Sequence, residues 1–148
     1  MSIILGTNPH LAVSKTDVTV DLDAQRDGAG VKFTPTIHSH GSGDKIKLPK
    51  DSGPYKITFY LHAKSGLNIR FDAGGPFFCA ADDGSCPPTG TPSDQIMVDS
   101  CTDDKLVVID WNYGAEQDLR YQVNFVDSAG KAMPDYDPII QNGGGTKV

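Results

Sequence analysis

The stretch YKITFYLHAKSGLNIRFD, residues 55–72, carries the clearest structural signal in the chain. Its apolar side chains alternate with polar ones, first at Tyr55, Ile57, Phe59 and Leu61 and then at Leu67, Ile69 and Phe71. Alternation with a period of two is typical of a β-strand that buries one face. The segment AKSG, residues 63–66, suits a turn, so we expect a hairpin of two antiparallel strands here.

The same period of two recurs on both sides of this stretch. It is present in DVTVDLD (17–23), GVKFTPTI (30–37), KLVVIDWNY (105–113) and DLRYQVNFVD (118–127), and shorter strands are expected at DKIKL (44–48), QIMVD (95–99) and residues 139–140. In 118–127 a helix could bury Leu119, Val123 and Val126 on one face, but it would leave Tyr121 and Phe125 off that face, which favours a strand. We predict an all-β, antiparallel two-sheet sandwich, immunoglobulin-like or of a related Greek-key type, with about eight short strands and no significant helix.

The composition agrees with a fold that is rich in turns. The chain contains 18 aspartates but a single glutamate, Glu116, together with 16 glycines and 10 prolines. Aspartate favours turns and caps, whereas glutamate favours helix faces. At 148 residues the chain is long enough for one domain with its own core. Within this single domain, 1–148, we expect a long irregular loop at 73–94 and a flexible C-terminal tail at 141–148.

Charge and hydropathy exclude several functional classes. The net charge is -6 and the 13 lysines and arginines are scattered, so neither nucleic acid nor an anionic membrane is expected as a partner. No apolar run approaches the roughly 18 residues that a transmembrane helix needs. The N-terminal MSIILGTNPHLAV lacks the basic start and the long apolar run of a secretion signal. We therefore expect a soluble, cytoplasmic protein.

Two of the three cysteines, Cys79 and Cys86, lie in the predicted loop, and Cys101 follows before a strand. Cys79 and Cys86 are the easiest pair to join in a disulfide, which an oxidising compartment would favour. Their spacings do not match the short knuckles of a structural zinc site. Unpaired thiols are the alternative in a reducing cytosol.

A candidate metal site is suggested by the histidines. His38 and His40 would point to the same side of an extended segment, His62 ends another predicted strand, and Asp44 follows four residues after His40. Imidazoles that share a face can bind one transition metal ion. The alternative is that these histidines are simply solvated at a strand end. We predict no catalytic residue.

Clustered aspartates suggest calcium as a second possible ion. Asp21, Asp23 and Asp27 surround the turn DGAG, and calcium binds six to eight oxygen ligands, often from loops. None of the clusters matches an EF-hand loop, and the alternative function of these carboxylates is to cap turns. No cofactor is predicted beyond these two candidate ions.

Three aromatic residues, Tyr60, Trp111 and Tyr113, are candidates for a binding surface. Aromatic side chains on a strand face can stack against a sugar or a partner protein. The alternative is that Trp111, the single tryptophan of the chain, packs into the core of the sandwich.

The C-terminal third, with KLVVIDWNY, DLRYQVNFVDSAG and DYDPIIQNGGG, resembles the uncharacterised bacterial DP-EP family. The most specific elements are Asp137–Ile140 and Asn142–Gly144. The chain is more distantly similar to the bacterial inclusion-body proteins of the PixA and AidA type, which also carry an Asp-Pro near the C-terminus. The resemblance implies a small β-sandwich without an established activity, and it assigns no functional residue.

These observations favour a non-enzymatic binding or structural module that works through its loops or an exposed sheet edge. A free edge or an extended tail can pair with a neighbouring sheet, so self-association into a homo-oligomer is expected. The alternative is a metal-dependent enzyme, or a calcium-dependent carbohydrate-binding module that uses the histidines or the aspartates. Whether the partner is a protein or a carbohydrate stays open at this point.

Overall fold

The computed structural model describes residues 14–28, 30–84, 88 and 90–145. In these residues the chain forms β-strands and no helix. The strands are β1 (Thr16–Asp27), β2 (Gly30–Ile37), β3 (Gly41–Ser42), β4 (Lys45–Leu48), β5 (Tyr55–Ala63), β6 (Arg70–Phe71), β7 (Phe77–Ala81), β8 (Ile96–Cys101), β9 (Lys105–Asp110), β10 (Gln117–Val126), β11 (Ala132–Tyr136) and β12 (Ile139–Asn142). A helix long and apolar enough to cross a membrane is accordingly absent from the described ranges.

Two sheets pack together and confirm the predicted all-β, two-layer architecture. The five-stranded sheet has the order β2-β1-β5-β9-β8, and the seven-stranded sheet has the order β11-β10-β12-β4-β3, with β6 and β7 also paired to β10. Aromatic side chains fill the space between the sheets. Phe33 stacks on Phe125 with ring centroids 4.8 Å apart, and Phe71 stacks on Phe125 at 5.3 Å.

The sheets are mixed, so the prediction of an antiparallel, immunoglobulin-like sandwich of about eight strands is wrong in its detail. β1 pairs with β5 in parallel, and β12 pairs with β4 in parallel. The reason lies in the connections between strands. After β2 the chain leaves the five-stranded sheet, forms β3 and β4 in the other sheet and returns as β5, which therefore runs in the same direction as β1.

The hairpin expected at 55–72 is also absent, although both of its strands exist. β5 lies at the centre of the five-stranded sheet, whereas β6 pairs with β10 in the other sheet. Between them the chain turns at Lys64–Leu67 and crosses the end of the sandwich. Leu67 is buried and packs into the core at this crossing. The sequence therefore has an apolar residue directly after the turn, and the alternating pattern continues without a break.

The strands with the longest alternating patterns agree with the prediction. β1, β2, β9 and β10 form where expected, and Pro35 lies on β2 at the edge of its sheet, where a missing N–H is tolerated. The short strand expected at 44–48 also forms, as β4, and it lies between β3 and β12.

The segment 73–94, predicted to be an irregular loop, contains strand β7. This strand pairs with β10 from Phe77↔Val123 to Leu119↔Ala81. Its sequence FFCAA does not alternate, because apolar residues occupy both faces, and so the period-two signal is missing. The following residues fold back on β7 through a bridge between Ala80 and Pro92.

Part of the C-terminal tail, 141–148, that we expected to be flexible pairs in a strand and hydrogen-bonds to neighbouring loops. Gln141 and Asn142 belong to β12, and we call Asn142–Gly145 the C-terminal glycine segment. The Gly143 N–H donates to the Leu48 carbonyl at 2.7 Å, and Gly144 accepts from the Asp51 N–H at 2.9 Å. A Cβ on Gly144 would lie 2.2 Å from the Gly114 carbonyl oxygen, so only glycine fits there. Residues 146–148 lie outside the described residues.

Candidate functional site

Two of the candidate histidines meet on one aspartate at the outer face of the five-stranded sheet. Asp21 lies on β1, between β2 and β5, with its side chain pointing away from the core. His62 is near the end of β5 and is the register partner of Asp23 on β1. His38 follows β2, and its N–H donates to the Thr19 carbonyl at 3.1 Å. Strand pairing therefore brings together residues from three distant parts of the sequence, and we call Asp21, His38 and His62 the histidine cluster.

Each carboxylate oxygen of Asp21 contacts one imidazole. His62 Nε2 lies 2.7 Å from Asp21 Oδ1, and His38 Nε2 contacts Asp21 Oδ2. The side chains of His38 and His62 are 52% and 54% exposed, and that of Asp21 is 32% exposed. The hydrogen bonds from His62 and then His38 lower the pKa of Asp21 below its ordinary value. The carboxylate is thus stabilised in its charged form beside two half-exposed rings.

The cluster combines two imidazole rings with one carboxylate. Imidazole nitrogens and carboxylate oxygens are also metal-ligand types.

His40 and Asp44 do not join His38 and His62, so the predicted four-residue metal site does not assemble. His40 has a positive φ of 61° at the bend where the chain passes from β2 to the other sheet. Because the segment bends instead of continuing as a strand, the expected shared face of His38 and His40 is lost. The His40 ring packs against Tyr55 with centroids 5.0 Å apart.

Asp44 lies in the turn between β3 and β4. Burial raises the pKa of Tyr121 and of Tyr136, and the negative charge of Asp44 adds to both shifts. Throughout the described ranges, no group of three or more His, Cys, Asp or Glu side chains is arranged to hold a metal ion.

The calcium candidates Asp21, Asp23 and Asp27 lie along one strand, not around a loop. All three belong to β1, which extends to Asp27. At roughly 3.3 Å per residue, Asp21 and Asp27 are about 20 Å apart along the strand, too far to ligate one ion. Asp21 is also engaged by the two histidines.

The three aromatic candidates lie at different places and do not form a single surface. Tyr60 is on β5, in register with Lys105, whose Nζ lies 5.8 Å from the centre of its ring. Trp111 follows β9 at the opposite end of that strand, and Lys15 Nζ lies 5.6 Å from the centre of the indole ring. Trp111 is half-buried and is not part of the core cluster, so it does not pin the core either. The Tyr113 hydroxyl donates to Asp94 Oδ2 at 3.3 Å.

The exposed large apolar side chains of the described residues are all on the five-stranded sheet. They are Tyr60 on β5 at 37%, Met97 on β8 at 39% and Val98 on β8 at 37% exposure. Within the described part of the chain β8 is the last strand of its sheet and pairs only with β9. A bulge between Val98 and Ser100 divides its pairing with β9 into two parts, Ile96–Val98 and Ser100–Cys101.

Cys79 is buried on β7, where burial, and secondarily the charge of Asp110, raise the pKa of its thiol to about 12. Cys101 is half-buried at the end of β8. The other member of the predicted disulfide, Cys86, lies outside the described residues, so that disulfide stays a prediction.

Sequence reasoning missed the buried polar residues beneath the C-terminal glycine segment. Asp110, Asn112 and Asn142 are each at most 1% exposed. Asn112 adopts a positive φ of 48°, and its side-chain amide donates to the Pro49 and Gly53 carbonyls. The sequence does indicate the burial of Asp110, because it follows Leu106 and Val108 at the next inward position of the alternating segment KLVVID.

Comparison with known proteins adds no relative. No family model matches the chain, and no curated protein is significantly similar to it.

Proposed function

We propose that this chain is a non-enzymatic binding or structural module that contacts its partner through the five-stranded sheet. The observation that carries this proposal is the concentration of Tyr60, Met97 and Val98, the exposed large apolar side chains of the described residues, on that one sheet. Two of the three, Met97 and Val98, are neighbours on the edge strand β8, and adjacent exposed apolar side chains at a sheet edge can be covered by a partner.

The edge strand β8 is the part of the sheet best suited to a protein partner. All six of its residues are exposed or half-buried, although they lie in a β-strand. An edge strand presents unpaired N–H and C=O groups that can hydrogen-bond to a strand of another chain. Met97 and Val98 flank these groups on the two faces of the sheet and would be covered by such a partner.

A second copy of the same chain is the simplest partner. Two β8 strands can pair antiparallel about a two-fold axis, which places the same surface on both sides of the contact. The bulge after Val98 limits regular pairing to a few residues. We therefore propose a weak dimer whose formation depends on protein concentration.

Sedimentation velocity over a range of protein concentrations tests this dimer. The wild-type chain should show a sedimentation coefficient that rises with concentration, and Val98→Lys should remain monomeric, because a charge at the edge opposes strand pairing. Thr34→Lys is the matched control, since it adds the same charge to an exposed position on β2, the other end of the same sheet in the described chain. A wild-type chain that stays monomeric at every concentration, or a loss of dimer in Thr34→Lys alone, would contradict the proposal.

A second candidate function is transition-metal binding by the histidine cluster. As they stand, these three side chains are not arranged to hold a metal ion. The candidate is suggested by the convergence of His38 and His62 on Asp21, since two imidazoles and one carboxylate are a common ligand set. A metal would have to replace the hydrogen bonds between these three side chains. Such a site would suit the metal-dependent enzyme that the sequence suggested as an alternative.

Titration calorimetry with Zn²⁺ separates this candidate from the first. Stoichiometric binding that is lost in His62→Ala but kept in His40→Ala would support the metal site, because His40 lies outside the cluster. Binding that is absent, or that is unchanged in His62→Ala, would contradict it. The similarity to the DP-EP family adds no residue to either candidate and stays a proposal about ancestry.

A further inference from the structure

A fully buried carboxyl group lies where β9 meets the C-terminal glycine segment. Asp110 is the last residue of β9, and its side chain is 0% exposed. Within the described residues no Lys, Arg or His forms an ion pair with it. A buried carboxylate without a cation is strongly unfavourable, and such a group usually takes up a proton instead.

The hydrogen bonds around Asp110 leave two buried oxygen atoms without a donor. Asp110 Oδ1 accepts from Asn142 Nδ2 at 2.8 Å and from the Asn112 N–H at 2.9 Å. The second carboxylate oxygen, Asp110 Oδ2, and the amide oxygen of the other side chain, Asn142 Oδ1, are buried and have no hydrogen-bond partner among the described residues. Both atoms can only accept while Asp110 is ionised. One proton on Oδ2 would turn it into a donor and give both atoms a partner.

We propose that the folded protein holds Asp110 as a neutral carboxylic acid whose Oδ2–H donates to Asn142 Oδ1. Together with the bond from Asn142 Nδ2, this makes a cyclic acid–amide pair. The pair fastens β12 and the C-terminal glycine segment to β9. Removal of the proton breaks one of the two hydrogen bonds and leaves a buried charge. The contact between β9 and the C-terminal glycine segment is therefore sensitive to pH.

Among the described residues, the groups that surround Asp110 supply no opposing charge. From β7, Cys79 faces it with a thiol that is protonated in the neutral range, since its pKa is raised to about 12. From β5, Tyr55 is its register partner, with the hydroxyl donating to Ser52 Oγ at 2.7 Å, and His40 packs on the Tyr55 ring. On β8 the register partner is Ile96, and Lys50 and Asp51 of the adjoining loop are exposed to solvent.

Burial also favours the neutral form of Asp110, because it raises the pKa of the carboxyl group. It raises the pKa of Asp110 from 3.8 to about 7, against the smaller lowering effect of the hydrogen bonds from Asn142 and Asn112. Between these two values the folded chain holds a proton that the unfolded chain has lost. The unfolding equilibrium constant should therefore rise about tenfold for each pH unit in that window and level off above it. Stability from this group is thus greatest at acid pH and is lost as the pH rises towards about 7.

Asp110→Asn provides the direct test, because an amide has the shape of the neutral acid and can keep both hydrogen bonds to Asn142. Urea unfolding of the wild type and the variant should be compared from about pH 4.5 to about pH 8. We expect the ratio of their unfolding constants, wild type over variant, to rise about a hundredfold up to about pH 7 and then level off. Asp27→Asn, at an exposed strand end, controls for the loss of one carboxylate. A ratio that stays constant or falls as the pH rises would overturn the proposal.

Carbon-13 NMR of the wild-type carboxyl groups decides the matter even if the variant fails to fold. At about pH 6, well above the ordinary aspartate pKa, one aspartate carboxyl carbon should keep the chemical shift of a protonated acid. In a folded Asp110→Asn sample that signal should be missing. A wild-type spectrum in which every aspartate carboxyl is ionised at this pH would rule the neutral acid out.

Discussion

Asp21 shows how one residue can organise a surface by accepting hydrogen bonds from two sides. Its two oxygens hold His38 and His62, which come from different strands, and so the carboxylate links β1 to its neighbours across the outer face. These side chains are about half exposed to water, which weakens each electrostatic contact. The cluster therefore fixes side-chain positions more than it stabilises the fold.

Asp21→Asn should lower the free energy of unfolding at about pH 7 by less than ~1 kcal/mol. The pKa of Asp21 is lowered in the folded state, so its stabilising effect is present above the ordinary value of 3.8 and disappears as the pH falls through the folded-state pKa. Urea unfolding of both proteins at about pH 7 and about pH 3 measures this difference. Asp23→Asn on the same face of β1 is the control, and an equal effect in both variants would contradict the assignment.

Some residues of interest could be predicted from the sequence and others could not. Asp110 could have been recognised, because alternation in KLVVID places an acid where a buried apolar side chain is expected. The separation of His38 from His40 could not, since it depends on a bend with positive φ at His40 that no residue type in that segment requires. The pairing of Asp21 with both histidines depends on strand register, which is a long-range property.

At the scale of the elements, the C-terminal glycine segment is the least expected feature. Its glycines are needed for close approach: a Cβ on Gly143 would lie 2.3 Å from the Lys50 nitrogen, and one on Gly144 would meet the Gly114 carbonyl. Asn112 Oδ1 accepts from the Gly144 N–H at 2.9 Å, which joins the segment to the loop after β9. The run of glycines after Asn142 therefore has a structural explanation in the packing of this segment.

Gly144→Ala should destabilise the fold far more than Gly130→Ala does. Both glycines have nearly the same positive φ, 81° and 82°, but a Cβ on Gly130 would meet nothing within 4 Å. The unfavourable φ alone costs roughly 1–2 kcal/mol. We expect the overlap at Gly144 to add at least about 2 kcal/mol, measured as the difference in unfolding free energy. Similar losses in the two variants would show that the segment is not tightly packed.

Strands were easier to predict than their partners. The alternating patterns of β1 and β10 located both elements, because a sheet with one buried face imposes that period on the sequence. β7 was missed, since both of its faces carry apolar residues. The assignment of β5 and β6 to different sheets depends on where the chain crosses the sandwich at Leu67, and local periodicity does not encode that crossing.

At the scale of the whole molecule, the two sheets differ in what they present to solvent. The five-stranded sheet carries the histidine cluster on its outer face and Met97 and Val98 on its edge strand β8. The C-terminal glycine segment closes the seven-stranded sheet against the loop after β9. Because the exposed large apolar side chains of the described residues lie on the five-stranded sheet, we propose that partners bind there.

Hydrogen–deuterium exchange of the wild-type chain at low and high protein concentration tests that proposal most directly. Pairing of β8 with a second copy would satisfy its outward N–H groups, so amides in Ile96–Cys101 should exchange more slowly at the higher concentration, while those of the edge strand β2 should not change. Exchange in β8 that is the same at both concentrations, or protection that develops in β2 instead, would contradict the account.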